Sequence, residues 1–178
     1  MARLKDLMDI FLQPGELFVA DAGFQIRTIL GSCVSITLWH PVSRIGGMSH
    51  FLLPTRGNQV LEHELDGRYG DEALLLMFKD LKAAGINHKH CLAKVFGGGN
   101  MFPGHTHASK ITVGQRNGEA ARALLQRHGI EVVTESLYGE GHRQIIFNVS
   151  NGDVWSRQVK PSRLESFADH YAVKGIQR

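Results

Sequence analysis

Cysteine is scarce, with two in 178 residues. Cys33 follows a glycine turn and Cys91 enters an apolar stretch, contexts too unlike for a disulfide framework, so a reducing cytoplasm is the expected setting. No apolar run reaches membrane-spanning length, and the N-terminal segment lacks the long apolar core and small-residue cleavage site of a secretory signal, so membrane insertion is not expected. No low-complexity or linker-like stretch divides the chain. With 43% hydrophobic residues, it can bury one good-sized core, and one domain over residues 1–178 is expected. The net charge of +3 is mild, and the basic residues are spread without the Lys/Arg clusters and interleaved aromatics of a nucleic-acid face. A weakly basic surface would still steer a glutamate-rich partner.

What is present is concentrated around Gly31-Ser32-Cys33 and Gly46-Gly47-Met48-Ser49-His50. Val34 to Trp39 alternates in parity as a strand does, Pro41 interrupts it, and Gly46-Gly47 opens a second run through Leu53 that stops at Pro54. These features predict an antiparallel hairpin. A loop centred near residues 42 and 43 makes paired residue numbers sum to about 85. Cys33 then faces Leu52, and His50 faces Ser35. Cys33 and His50 become diagonal neighbours on one face, with Cα atoms roughly 7 to 8 Å apart. A shift of two residues would set them directly opposite; a shift of one would part them onto different faces.

A Cys and a His side by side form the smallest unit that can attack a carbonyl. The imidazole takes or holds the thiol proton, and backbone N–H groups at Ser32 and Cys33 can receive the developing oxyanion. Gly31 lets a substrate backbone approach. If His50 activates Cys33 in this way, alkylation of the thiol should follow an ionisation below that of an ordinary cysteine. The plain alternative is a buried structural cysteine near a satisfied histidine.

Along the rest of the chain, Leu4, Leu7, Met8 and Phe11 have helical spacing before Pro14-Gly15, predicting a leader helix over residues 1–14. Phe18 to Ala20 and Phe24 to Leu30 read as strands joined by Asp21-Ala22-Gly23, with Gly23 free to take positive φ. Residues 55–69 read as a polar surface loop near His50. A helix starts at Asp71, its apolar stripe made by Ala73, Leu74, Met77, Phe78 and Leu81, with Gly85 as terminator. His90 to Phe96 reads as a buried strand running into Gly97-Gly98-Gly99. Without a Gly-Lys-Ser/Thr or GxGxxG pattern, this triple glycine is no phosphate cradle. Instead it lets Gly98 and Gly99 pass close to the Cys-His pair, leaving Met101 and Phe102 to pack or touch substrate. His88, His90, His105 and His107 form two His-x-His pairs, but no third ligand stands at a diagnostic spacing and no metal or other cofactor is expected. Asn117 can N-cap a helix carrying Ala120, Ala121, Leu124 and Leu125, closed at His128-Gly129. Three strands follow, from Ile130, Gln144 and Val154, with Asn151-Gly152 as a hairpin turn. The end, from Pro161 with Leu164, Phe167 and Tyr171, reads as a short peripheral helix. Strands outnumber helices and hairpins are adjacent. The expected fold is α/β, a layered sandwich of mixed, mainly antiparallel β-sheet flanked by helices.

Leu30-Gly31-Ser32-Cys33-Val34, Gly47-Met48-Ser49-His50 with Leu53-Pro54, Gly97-Gly98-Gly99 before Met101-Phe102, and Ile111 to Asn117 together resemble the CheD family of chemoreceptor glutamine deamidases, in that family's order and spacing. The resemblance implies the same layered fold, Cys33 as nucleophile and His50 as general base. It also implies that the substrate is the glutamine side chains of methyl-accepting chemotaxis receptors, converted to glutamate with release of ammonia. Gly31, Ser32, Gly98, Gly99, Met101 and Phe102 are the expected substrate contacts. The family's orienting Thr lies six residues before the nucleophile, where this chain has Arg27. Thr28 is next but on the opposite face of a regular strand, and it is the expected orienter of His50, because a hydroxyl can fix an imidazole tautomer. The resemblance also allows a non-catalytic adaptor that binds receptors or a CheC-type phosphatase. A cysteine peptidase, which would cleave chains, is a third reading.

Overall fold

The computed structural model describes residues 7–57, 61–105 and 110–161. Nine strands form two sheets: β1 (Met8–Phe11), β2 (Leu17–Ala20), β3 (Phe24–Leu30), β4 (Val34–His40), β5 (Ile45–Ser49), β6 (Leu92–Gly97), β7 (Val132–Leu137), β8 (His142–Asn148) and β9 (Val154–Val159). The four-stranded sheet runs β1-β3-β8-β9 and the five-stranded sheet β2-β5-β4-β6-β7. Among the strand pairs of the described residues, only β1–β3 and β6–β7 are parallel. Two helices, α1 (Gly70–Ala83) and α2 (Val113–Arg127), lie against the five-stranded sheet. The layers are therefore sheet, sheet and helices, the α/β sandwich expected.

Strand parity builds the two cores. Val34, Ile36 and Leu38 of β4 face the helices and pack with Phe51, Leu74, Met77, Leu81 and Leu125. Ser35 and Thr37 point the other way yet are also buried, because the second sheet covers that face. There Ile26 and Leu30 of β3 and Ile145 and Phe147 of β8 meet Met48 and Phe96, with Cys33 packed against them. A strand buried on both faces explains why β4 mixes polar and apolar residues with no solvent side. The α1 stripe of Ala73, Leu74, Met77, Phe78 and Leu81 is buried as expected, and Gly85 follows it at φ +79°.

Four expectations are corrected. Residues 8–11 form not a leader helix but β1, pairing in parallel with β3, Met8 with Phe24 through Phe11 with Arg27. A four-residue segment carries too few positions to tell a helical from an extended period. The turn before β3 does not use a positive φ at Gly23; its device is the Asp21 carboxylate accepting from the Gly23 N–H at 2.8 Å. β6 starts at Leu92, because His88–His90 form a single 3-10 turn capped by the Asn87 side chain. The cap of α2 is Thr112, in a reciprocal capping box with Gln115, and Asn117 is a fully buried residue inside the helix. The expected C-terminal helix lies outside the described residues.

Candidate active site

The β4–β5 pairing has the expected register. Thr37 pairs with Met48, Leu38 with Gly47, and beyond the strand ends Val34 bridges Phe51; every sum is 85. Cys33 and His50 flank the Val34–Phe51 bridge on the face opposite to both, looking into the layer between the sheets. His50 is held on its backbone by the two residues before β2, its N–H donating to the Glu16 carbonyl at 2.9 Å and its carbonyl accepting from Gly15 at 2.7 Å.

Thr28 approaches from the other sheet. It lies on the inward face of β3, whose pairing with β8 runs unbroken from Gln25 to Leu30, so no bulge is involved. Its Oγ1 is 2.8 Å from His50 Nδ1 and donates its single proton to the Leu12 carbonyl at 2.7 Å. With that proton spent, Oγ1 can only accept from the ring. Nδ1 therefore carries the hydrogen and Nε2 keeps a lone pair. Nε2 is buried with no partner among the described residues. Arg27 points outward and pairs with Asp9 at 2.6 Å.

Burial sets the electrostatics. It pushes the His50 imidazole down to about 4, with the Glu16 carboxylate and the Leu12 carbonyl pulling weakly the other way. Burial also pushes the Cys33 thiol up, opposed by its own backbone N–H. The resting pair is thus neutral thiol and neutral imidazole, opposite in direction to the low-lying thiol expected from the sequence. Such a pair works by passing the proton during attack rather than by storing a thiolate.

The glycine loop reaches Cys33. Gly98 donates to the Cys33 carbonyl and Gly99 to the Gly31 carbonyl, each at 2.8 Å, and a β-carbon on Gly97 would overlap the Cys33 carbonyl. Gly98, at φ +65°, turns its own carbonyl toward Gly114. The Cys33 N–H therefore has no backbone acceptor across the strand, and neither it nor the Ser32 N–H donates to another backbone group among the described residues. Met101 sits over Gly31, its Sδ 3.0 Å from where a β-carbon would stand. Phe102 is 70% exposed.

Two features of the site carry little signal in the sequence. The Leu12 carbonyl carries no side-chain signal. Asn117 was masked by its propensity to cap, although Thr112-Val113-Gly114-Gln115 already reads as a capping box. Among the described residues, no group of three His, Cys, Asp or Glu could hold a metal ion, and no helix is long and apolar enough to cross a membrane. A groove of about 830 Å³ along α1, lined by Leu75, Phe78 and Ile86, contains none of the candidate residues.

Comparison with known proteins adds an independent line. The family model described as CheD chemotactic sensory transduction matches residues 52–158. A protein of Albidiferax ferrireducens called probable chemoreceptor glutamine deamidase CheD 2 is 64% identical over 93% of this chain and 96% of its own length. A probable chemoreceptor glutamine deamidase CheD of Pseudomonas savastanoi is 43% identical over 90% of both chains. One from Leptospira interrogans is 34% identical over 84% of this chain and 92% of its own.

Proposed function

Because the chain belongs to the CheD family, we propose that it is a chemoreceptor glutamine deamidase acting as one cytoplasmic domain, with Cys33 as nucleophile, His50 as base and Thr28 as the residue that orients the base. The single observation that carries this mechanism is the Thr28–His50 contact. It leaves a bare Nε2 in the layer into which Cys33 projects.

In the first half-reaction Sγ of Cys33 attacks the glutamine side-chain carbonyl while Nε2 of His50 takes the thiol proton. The Cys33 N–H receives the oxyanion. As the tetrahedral intermediate collapses, His50 returns the proton to the departing amide nitrogen, which leaves as ammonia. Water, deprotonated by the same Nε2, then opens the thioester to give glutamate and the free thiol. Every proton moves through one nitrogen, so the tautomer fixed by Thr28 matters at each step. Gly31, Ser32, Gly98 and Gly99 would line the approach, with Met101 and Phe102 touching the receptor helix. A CheC-type phosphatase is a second candidate partner.

Mass spectrometry of a receptor fragment incubated with wild type and with Cys33→Ser tests the reading. Wild type should add about one dalton per modified glutamine and release ammonia, while Cys33→Ser should do neither yet still bind the fragment. Deamidation by Cys33→Ser would refute the mechanism. An unmodified fragment with active wild type would favour an adaptor, and chain cleavage a peptidase. Thr28→Val is expected to cost about 100-fold in turnover, within the range for misoriented acid–base groups, and Thr28→Ser to recover most of it. Equal rates for Val and Ser would remove Thr28 from the mechanism.

A further inference from the structure

The hairpin carrying Cys33 and His50 splits at the nucleophile. Val34 and Phe51 exchange both ladder hydrogen bonds, at 3.1 and 3.0 Å. The next pair in this register would be Ser32 with Leu53. Instead Leu53 donates to the Arg68 carbonyl at 3.1 Å and accepts from Gly70 at 2.8 Å, so the strand after His50 leaves to join the start of α1. Ser32 is left without its ladder partner.

Asn117 enters this fork from α2. Its Nδ2 donates to the Ser32 carbonyl at 3.0 Å and to the Leu52 carbonyl at 2.8 Å. One carbonyl belongs to the residue before Cys33, the other to the residue facing Cys33 across the hairpin. Both partners are acceptors, which leaves no doubt as to which end of the carboxamide points at them. The residue is 0% exposed, and its Oδ1 is buried without a partner among the described residues. A leucine would fill the site but leave the Ser32 and Leu52 carbonyls without this donor, so the amide does more than pack: it satisfies the opened fork.

We infer that Asn117 is a positioning residue for the nucleophile: by holding the Ser32 carbonyl in the fork, its carboxamide fixes the Ser32–Cys33 peptide so that the Cys33 N–H stays turned toward the reacting oxygen. A trans peptide is planar, with its C=O and N–H directed oppositely. Pinning the Ser32 oxygen on the β5 side therefore aims the Cys33 N–H to the β6 side, where Gly98 has turned its carbonyl away. Asn117 touches no reacting atom and acts only through this peptide, resting on Cys33 as the nucleophile proposed above.

Asn117→Ala, assayed by ammonia release from a receptor fragment beside Cys33→Ser, is the test. The expected result is a fall of about 100-fold in kcat with KM within about threefold, the cost of a small misplacement at the reacting centre. Alkylation of Cys33 by iodoacetamide, which develops no oxyanion, should stay within about twofold of wild type. A folded Asn117→Ala protein with kcat within threefold of wild type, or with kcat and alkylation falling together, would overturn the inference. If Asn117→Ala does not fold, Asn117→Asp decides. At pH 7.5 its carboxylate faces two carbonyls, whereas protonation restores one donor, so its rate relative to wild type should rise about tenfold by pH 5.5. A flat ratio, or failure of both variants to fold, overturns the positioning role. Ammonia release by Cys33→Ser would instead sink the reading of the nucleophile itself.

Discussion

His50→Ala is expected to lower ammonia release by about 1,000-fold, near the middle of the range for losing a group that serves as both acid and base. In the proposed mechanism the neutral ring is the active form, and burial pushes its pKa down to about 4. The acid limb of kcat/KM in the wild type should therefore fall near pH 4 rather than near the ordinary histidine value of 6.5. The same shift acts on stability. Between pH 6.5 and 4 the unfolded chain binds a proton at this ring that the folded chain refuses, so His50 favours folding fully above 6.5 and progressively less as pH drops toward 4. The loss is about 3 kcal/mol over that window. Denaturant midpoints at pH 7.5 and 4.5 would measure it, and the difference should shrink in His50→Gln. An acid limb at 6.5, or equal pH sensitivity in His50→Gln, would contradict this account.

Gly97→Ala is expected to cause a large loss of stability from a single methyl group. Gly97 ends β6 at φ +113°, where a β-carbon would overlap the Cys33 carbonyl and stand 3.2 Å from both Leu30 Cδ1 and Val34 Cα. Two of these three neighbours are backbone of the nucleophile strand and cannot rotate aside. Gly129 provides the control, with φ +66° and open space around its position. Alanine there should cost only the left-handed backbone penalty, about 1 kcal/mol. Alanine at 97 adds overlap and should cost at least about 3 kcal/mol, moving Tm by roughly 10 °C for a chain of this size. Activity should vanish with it, because relief of the overlap displaces Cys33. Equal melting temperatures for the two variants would refute the steric argument.

The hairpin around the site was legible because loop position and parity together define a register, and Val34–Phe51 and Leu38–Gly47 keep it. The α1 stripe was legible for a similar reason, since fourteen residues give its period room to repeat. The Thr28–His50 contact was less accessible. Counting back from Cys33 weighs Arg27 against Thr28, but only the stacking of one sheet on the other decides which side chain meets the ring. β1 is ambiguous in the sequence because Leu7, Met8 and Phe11 satisfy a helical spacing that four extended residues can imitate. Asn117 is ambiguous because its local preference for caps is real; the capping box five residues earlier claims the helix start, leaving this amide to the fork beside Cys33.

The hydroxyl of Thr28 ends its chain of hydrogen bonds on a main-chain oxygen, that of Leu12. A protein trimmed to begin after Gln13 would retain every side chain assigned to the chemistry. It would nonetheless free the threonine proton to swing toward the ring and drive the hydrogen onto the wrong nitrogen. In the proposed mechanism the residue just after β1 is thus a latch on protonation state, and because Leu12 and Ile10 also pack in the core between the sheets, peeling this segment away should cost turnover and stability together.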